Sequence, residues 1–488
     1  MPTLLFGGLT RAHDRLYQGA FASLGYRGEP LPPPDRDALN TGRIYCNKGQ
    51  CNPVYYTAGS LINHLNELKR RGERDICNRY LFITAGSCGP CRFGMYEMEY
   101  RKALRDAGFG GLTVVALQQG EAMVRDLKHM GFSIRRRDFF TLLKPLILGD
   151  LINDLYYQVR PYETRPGAAD RWREGSVDLV NRAMMSGTPV HRALKRAARN
   201  LREIPVDYLQ PRPRVKIIGE FFSHIQEGDP SYRLPEWLVS EGAEPSLEPV
   251  TTWVDYLIWS RLRQAWARAF RAPLRSLKVM LLLGMLKGVI HAHYAFYRLV
   301  LGRKPRRLLR QSRIAALARP HYHPELSGGE GHMEVGKHVH AVLHRDAHLV
   351  ISIKPFGCMP STQSDGVQMK VMEELGSSFL SIDTSGDAEV NAKSRVAMKL
   401  QEAVGRVEAD YRALLDRLGM SREEARRAAA CRPDLARAHR RLPRRFTSTT
   451  ENALLLAARG AGRRGAGRPR AKRPAEQSQE RRSTSRGA

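Results

Sequence analysis

Residues 79–117, RYLFITAGSCGPCRFGMYEMEYRKALRDAGFGGLTVVAL, carry the pattern on which the fold turns. The apolar run YLFIT is short and β-rich, the loop AGSCGPC is built of small residues, and a helical period follows from about residue 93 to 107. Gly108 stops that helix and LTVVAL opens a second apolar run. Strand, helix and strand at this spacing form a βαβ unit, whose strands run parallel because the helix carries the chain back across the sheet. Upstream, residues 3–7 make another apolar run, residues 11–24 a helical pattern, and an extended piece follows Gly25. Together these units predict a small parallel sheet.

The same order returns later in the chain. VKIIG at 215–219 reads as a strand, YRLPEWLVSEGA at 232–243 as a helix and SLEPV at 246–250 as a strand. HLVISIKP at 348–355 is the next strand, followed by the loop FGCMPS, a helix and FLSID at 379–383. The expected fold class is therefore α/β, with two flavodoxin-like (Rossmann-like) parallel-sheet halves. In each half a cysteine follows the first strand of the second unit, Cys91 in one and Cys358 in the other. Open parallel sheets take ligands beyond the carboxyl ends of their strands, where both thiols fall. The expected domains are an N-terminal α/β domain at 1–165 carrying Cys46, Cys51, Cys88 and Cys91, and a helical linker at 166–212. A second α/β domain at 213–420 holds Cys358 and a helical insertion at about 253–319, and an Arg-rich, largely disordered tail occupies 421–488.

With 488 residues the chain has ample material for a core, which excludes a disulfide-stapled miniprotein. The formal charge of +30 points at first to nucleic acid, but residues 421–488 hold 19 Lys and Arg against 6 acids. Much of the excess is thus a property of the tail. The opening MPTLLFGGLTRAHDRLYQG lacks the pattern of a secretory signal, and seven scattered cysteines suit a reducing compartment, so the expected location is cytoplasmic. Inside the insertion, VMLLLGMLKGVIHAHYAF is the most apolar run; Lys287, His291 and His293 interrupt it, so it is expected to be a buried or interfacial helix and not a membrane span.

Six cysteines lie in four places: Cys46 and Cys51, Cys77, Cys88 and Cys91, and Cys358. Cys51, Cys88, Cys91 and Cys358 stand beside Pro or Gly in polar loops, whereas structural cysteines prefer cores. Soft thiolates at strand ends suit an iron–sulfur group or zinc. The spacing is not the compact spacing of a zinc ribbon or ferredoxin, and ordinary loop or core thiols stay open as a reading. A thioredoxin-type Cys88/Cys91 pair is a third reading, since the helix that follows would lower a thiol pKa.

The strings YCNKGQCNP, FITAGSCGPCRFGMYEMEYRKALRDAGF, GGEGHMEVGK and ISIKPFGCMPS resemble the 2-hydroxyacyl-CoA dehydratase family, in particular 2-hydroxyglutaryl-CoA dehydratase component D-like proteins and related activase-associated segments. The resemblance covers roughly residues 1–165 and 210–400. It implies a [4Fe-4S] cluster between two flavodoxin-like halves, held by Cys51 (CNP), Cys91 (GPCR) and Cys358 (PFGCMP). Three thiolates would leave one iron open, with Cys46 and Cys88 as possible extra ligands or neighbouring thiols. The implied activity is that of a lyase: radical (ketyl) dehydration of a 2-hydroxyacyl-CoA, or support of that reaction. Implied partners are an ATP-dependent activator, an ASKHA-type ATPase with its own iron–sulfur cluster, a second dehydratase subunit and the acyl-CoA substrate. The alternative within the family is an electron-transfer or cluster-carrying accessory protein. Cys77 is expected to be packed and Cys431 to be an incidental thiol.

Seven histidines lie at 321, 323, 332, 338, 340, 344 and 348; His340 and His344 are four apart on a helix but lack a completing ligand. In GGEGH, Gly328, Gly329 and Gly331 open a helix that could cap itself or cradle an anion, and Glu330 and His332 are weak acid/base candidates for a catalytic role. The basic insertion carries no RNA-recognition motif, so no specific nucleic acid is expected. No GxxxxGK[ST] string occurs, and any ATP chemistry falls to another chain.

Overall fold

The computed structural model describes residues 2–86, 91–117, 136–326, 329–438, 441–460 and 462. In the first half the order is β1 (Thr3–Phe6), α1 (Arg11–Ser23), β2 (Gly28–Pro30), α2 (Arg36–Tyr45), α3 (Asn52–Arg70), α4 (Ile76–Arg79), β3 (Tyr80–Ala85), α5 (Tyr96–Asp106) and β4 (Thr113–Leu117). The strands pair in parallel as β2-β1-β3-β4. Thr10 caps α1, its hydroxyl accepting from His13 N–H, and Leu16 and Ala20 bury the apolar face. The sequence reading leaves α2 and α3 unassigned, although they hold Cys46 and Cys51 at their ends.

Three helices join the halves: α6 (Arg136–Val159), α7 (Ala168–Met185) and α8 (Val190–Asn200). Leu148, Leu151, Ile152 and Leu155 of α6 are fully buried and form one core with Leu16 of α1 and Val180 of α7. A helix buried on most sides shows little polar period, which is why residues 136–159 give no clear signal in sequence.

The second half runs β5 (Arg214–Gly219), α9 (Phe221–Ile225), α10 (Leu234–Ser240), β6 (Glu244–Ser246), α11 (Thr251–Ala267), α12 (Pro273–Val300), α13 (Gln311–Ala318), α14 (Gly331–Leu343), β7 (Leu349–Pro355), α15 (Met359–Leu375), β8 (Phe379–Thr384) and α16 (Glu389–Leu418). Its sheet order, β6-β5-β7-β8, repeats that of the first half, and the fold is α/β with two flavodoxin-like halves. The helices α11 to α13 fill the expected insertion.

Three expectations are corrected. The strand read at 246–250 lies earlier, at Glu244–Ser246, because the chain then turns so that Val250 and Thr251 N–H donate to the Asp150 carboxylate at 2.7 and 2.8 Å. Of the two expectations for the long apolar helix α12, buried or interfacial, burial fails: its last turns, through Ile290, Tyr294 and Tyr297, enter the core and Leu283 and Leu286 pack partly against it, while most of the run is exposed.

The third correction concerns the tail expected at 421–488. Its first part folds into α17 (Arg422–Ala430) and α18 (Thr449–Gly460), and Leu454 and Leu455 are completely buried. The apolar run ALLLAA gives α18 a face to bury, and Thr450 Oγ1 donates to Gln210 O at 2.5 Å. Residues 463–488 lie outside the described residues.

Candidate thiol site

Cys51, Cys91 and Cys358 share a local geometry. Each is extended and immediately precedes a helical turn: Cys51 caps α3, Cys91 the 3-10 turn Arg92–Met95, and Cys358 caps α15. The free N–H groups at such termini favour negative charge on an adjacent sulfur. None uses its side chain as a cap.

The parallel sheets bring these termini to one cleft. Arg92 Nη1 donates to Gly49 O at 2.6 Å and Nη2 donates to Gly357 O, so one guanidinium joins the loops before Cys51 and Cys358. A β-carbon on Gly357 would lie 3.9 Å from Cys51 Cα. Asn52 Nδ2 donates across the halves to Thr384 O at 2.7 Å. Cys91 feels the charge of Cys51 as well as those of Glu330 and Glu220.

Individual contacts differ. Cys51 Sγ lies 2.9 Å from the Tyr96 hydroxyl, and Cys358 Sγ 3.4 Å from Ser361 Oγ, which donates onward to Glu334 at 2.8 Å. Burial raises all three thiols: Cys91 to about 11, with Cys51 above the usual range and Cys358 further still. Glu220 caps α9 and rises to about 7 through burial and then repulsion from Glu330. Glu330 is raised mainly by burial, while Phe221 N–H donates to its Oε1 at 3.1 Å. The cleft thus gathers three thiols and two carboxyl groups whose anionic forms desolvation disfavours. A bound cation would invert that preference.

Soft sulfur donors suit both an iron–sulfur group and zinc. Among the described residues, no cysteine sulfur joins two other ligand atoms within 4.8 Å. Tetrahedral zinc with Zn–S bonds of about 2.3 Å needs sulfurs roughly 3.8 Å apart. As the side chains stand, the three thiols on separate helix ends form no such compact group.

The other expected residues divide. Cys88 lies outside the described residues, and with it the Cys88/Cys91 pair. Cys46 is buried at the end of α2, where burial and Glu99 push it to about 12. Cys77 packs at the edge of the first core, and Cys431 is exposed. Glu330 faces the thiols; His332 instead packs between Tyr256 and Trp259, with its Nε2 2.8 Å from Gln311 Nε2. Burial lowers His332 to about 4, so its imidazole is neutral at pH 7. Gly329 serves packing: a β-carbon there would meet Pro360 Cβ at 2.5 Å, which seats Gly329 directly on the first turn of α15, beside Cys358. Gly328 is outside the described residues.

The sequence reading missed Arg92 and Glu220. The Arg of GPCR stands beside a candidate ligand and was the available signal for the first; Glu220, directly after β5, was signalled only by its strand-end position. His340 and His344 lie with ring centroids 4.2 Å apart and planes tilted by 55°, but no third ligand joins both among the described residues. His348 instead approaches Asp410 and Glu451. Arg345, Arg406 and Arg417 around Asp410 already bring positive charge to that group. A groove of about 680 Å³ beside Arg182, Arg192 and Arg196 shares no lining residue with the thiol cleft.

No protein family matches the chain, and no curated protein matches it in sequence.

Proposed function

We propose that this protein is a [4Fe-4S] protein acting on, or supporting the dehydration of, a 2-hydroxyacyl-CoA, with Cys51, Cys91 and Cys358 as the protein ligands. One observation carries this reading: thiols from three segments, separated by up to about 300 residues, cap helix turns at one cleft between two parallel sheets. The bound group would supply a low-potential electron and an iron open to a substrate oxygen. The helix ends orient the thiols and favour their ionised form. Arg92 holds the two loops together, and Glu220 and Glu330 offer carboxyl groups that hold or accept a proton at the cleft. Cys46 stands behind, close enough to Tyr100 for its charge to be felt there together with that of Cys51. An ATP-dependent activator with its own cluster and a second dehydratase subunit belong to the same proposal, as does a cytoplasmic location.

Burial of Cys51 and Cys358, each 8% exposed, favours a second reading: an electron-transfer or cluster-carrying protein whose iron is closed to substrate. Anaerobic purification with iron and sulfide analysis tests the shared premise, with about four of each expected per chain. Cys51→Ala, Cys91→Ala and Cys358→Ala should each lose the iron while Cys431→Ala keeps it. Stoichiometric zinc without iron would refute the proposal. A reduced-state spectrum that changes with a 2-hydroxyacyl-CoA selects the dehydratase reading; an unchanged one selects electron transfer.

A further inference from the structure

Helices α11 and α12 form a hairpin whose base is docked and whose tip is not. At the base, His293 stacks on Phe140 of α6, Phe296 faces His191 of α8, and Lys287 and His291 pair with Asp255 at 3.2 and 3.1 Å. Toward the tip the outer side of α12 carries Leu274, Leu277, Leu281 and Met285, all exposed, with Leu282 beside them. Trp266 ends α11 with 66% exposure and Phe270 in the turn is fully exposed. The most apolar 18 residues of α12 are only 11% buried. Monomeric soluble proteins rarely leave so continuous an apolar surface in water unless it meets a partner.

Charge identifies the partner. Residues 256–324 contain 15 Lys and Arg and no Asp or Glu. Arg268, Arg271, Arg275 and Lys278 are exposed beside the apolar stripe. A second copy of the hairpin would set this basic surface against itself. A nucleic acid would neutralise the arginines and leave the leucines in water. An anionic lipid surface satisfies both, since acyl chains take the stripe and phosphates take the cations. Passage across the bilayer is disfavoured by Lys278 and Lys287 within the run and by the docking of the last turns of α12.

We infer that the tip of this hairpin, residues 266–285, inserts into the interface of an anionic membrane, apolar stripe inward, with Arg268, Arg271, Arg275 and Lys278 at the phosphate level. The long stems of these cations reach past the apolar side chains to the headgroups. This holds the rest of the protein at a membrane surface and is independent of what the thiol cleft binds.

The test is co-sedimentation of the full chain with vesicles of phosphatidylglycerol and phosphatidylcholine in equal parts, against phosphatidylcholine alone. Binding is expected on the mixed vesicles and not on the neutral ones. Each neutralised arginine should weaken it about fivefold, so Arg268→Gln, Arg271→Gln and Arg275→Gln together should cost roughly a hundredfold. Leu277→Glu with Leu281→Glu should abolish binding with the thermal midpoint unchanged; if that pair fails to fold, Phe270→Ser with Leu274→Ser at the tip replaces it. Absence of binding to the mixed vesicles overturns the inference. So does binding indifferent to these substitutions, or resistant to an alkaline carbonate wash as a spanning helix would be. A lipid-free dimer that Leu281→Glu dissociates, or RNA retention that the leucine variants leave intact with no lipid binding, would assign the surface to another partner and equally overturn it.

Discussion

The helices that lead into β3 and β7 are built alike and finish differently. In the first half α2 and α3 touch through glycine: a β-carbon on Gly59 would lie 1.7 Å from Ala38 O, and one on Gly42 1.9 Å from Tyr55 O. In the second half α13 and α14 use the same device, with Gly336 placed so that a β-carbon would lie 2.3 Å from Ile314 O. The N-termini of α3 and α14 open at the same cleft, but one begins after Cys51 and the other after Glu330. Four residues further on, Tyr55 donates to Asn47 O within its own half, whereas Glu334 accepts from Ser361 and Ser364 in the first turns of α15. A repeated scaffold therefore presents a thiol on one side of the cleft and a carboxyl group on the other. The backbone packing is shared, while the residue at the cap differs.

The sharpest way to break this comparison is to put a methyl group at each crossing. Gly59→Ala and Gly336→Ala should each cost about 3 kcal/mol or more, because backbone oxygen cannot yield as a side chain does. Gly59→Ala should be the worse, and Gly405→Ala, where nothing lies within 4 Å, should stabilise by about 0.5–1 kcal/mol. Urea unfolding reads all three. A tolerated Gly336→Ala would show that the two crossings are not packed alike.

The second half also carries a C-terminal helix. Leu455→Ala in α18 should cost about 2–5 kcal/mol, since the side chain is 1% exposed, whereas ending the chain after residue 462 should leave the denaturation midpoint unchanged. A midpoint unmoved by Leu455→Ala would return α18 to the status of a dispensable tail.

At the cleft the two caps should separate by chemistry. On the proposed ligand set, in which Cys51 binds iron and Glu330 is a neighbour, Cys51→Ser should lose most of the iron under anaerobic conditions while Glu330→Gln should keep it. Equal iron loss in the two variants would make the halves chemically as well as geometrically equivalent.

A further expected effect is a pH slope. Burial, then Glu330, lifts Glu334 from the usual 4.5 to about 8, so the folded protein holds a proton that the unfolded chain releases. This stabilising contribution is complete below about pH 4.5 and fades as pH rises through 8. Glu334→Gln should flatten the fall of the thermal midpoint between pH 5 and 8, leaving the parts due to Glu220 and Asp14, which burial also raises to about 7. An unchanged slope in Glu334→Gln would show that the carboxyl group is already ionised in the fold.

Much of the scaffold was legible because its strands announce themselves. YLFIT, LTVVAL and HLVISIKP are apolar runs ended by turn residues, and each is a strand with parallel neighbours. SLEPV misled because Asp150, 100 residues earlier, captures the Val250 amide that the reading assigns to a ladder, together with that of Thr251 just beyond it. The Arg-rich composition near the C-terminus masked ALLLAA, whose burial depends on a surface formed by distant residues. The α12 run is expected to be buried or interfacial, and burial fails because hydropathy measures what a side chain prefers, not whether the fold offers it cover.

The sequence by itself determined the two βαβ repeats, their parallel strands, and the placing of Cys91 and Cys358 behind equivalent strands, since strand period, turn residues and chain order are local properties. Only the tertiary structure decided that Glu220 and Glu330 approach the thiols, that Arg92 ties the loops before Cys51 and Cys358, and that α18 is covered while α12 is not. Parallel pairing sends the carboxyl ends of all strands in a sheet to one edge, so residues far apart in the chain meet there. Which side chains meet depends on the packing of the helices between the strands, and that packing is set at points such as Gly59 and Gly336, where one missing β-carbon fixes how closely two helices approach.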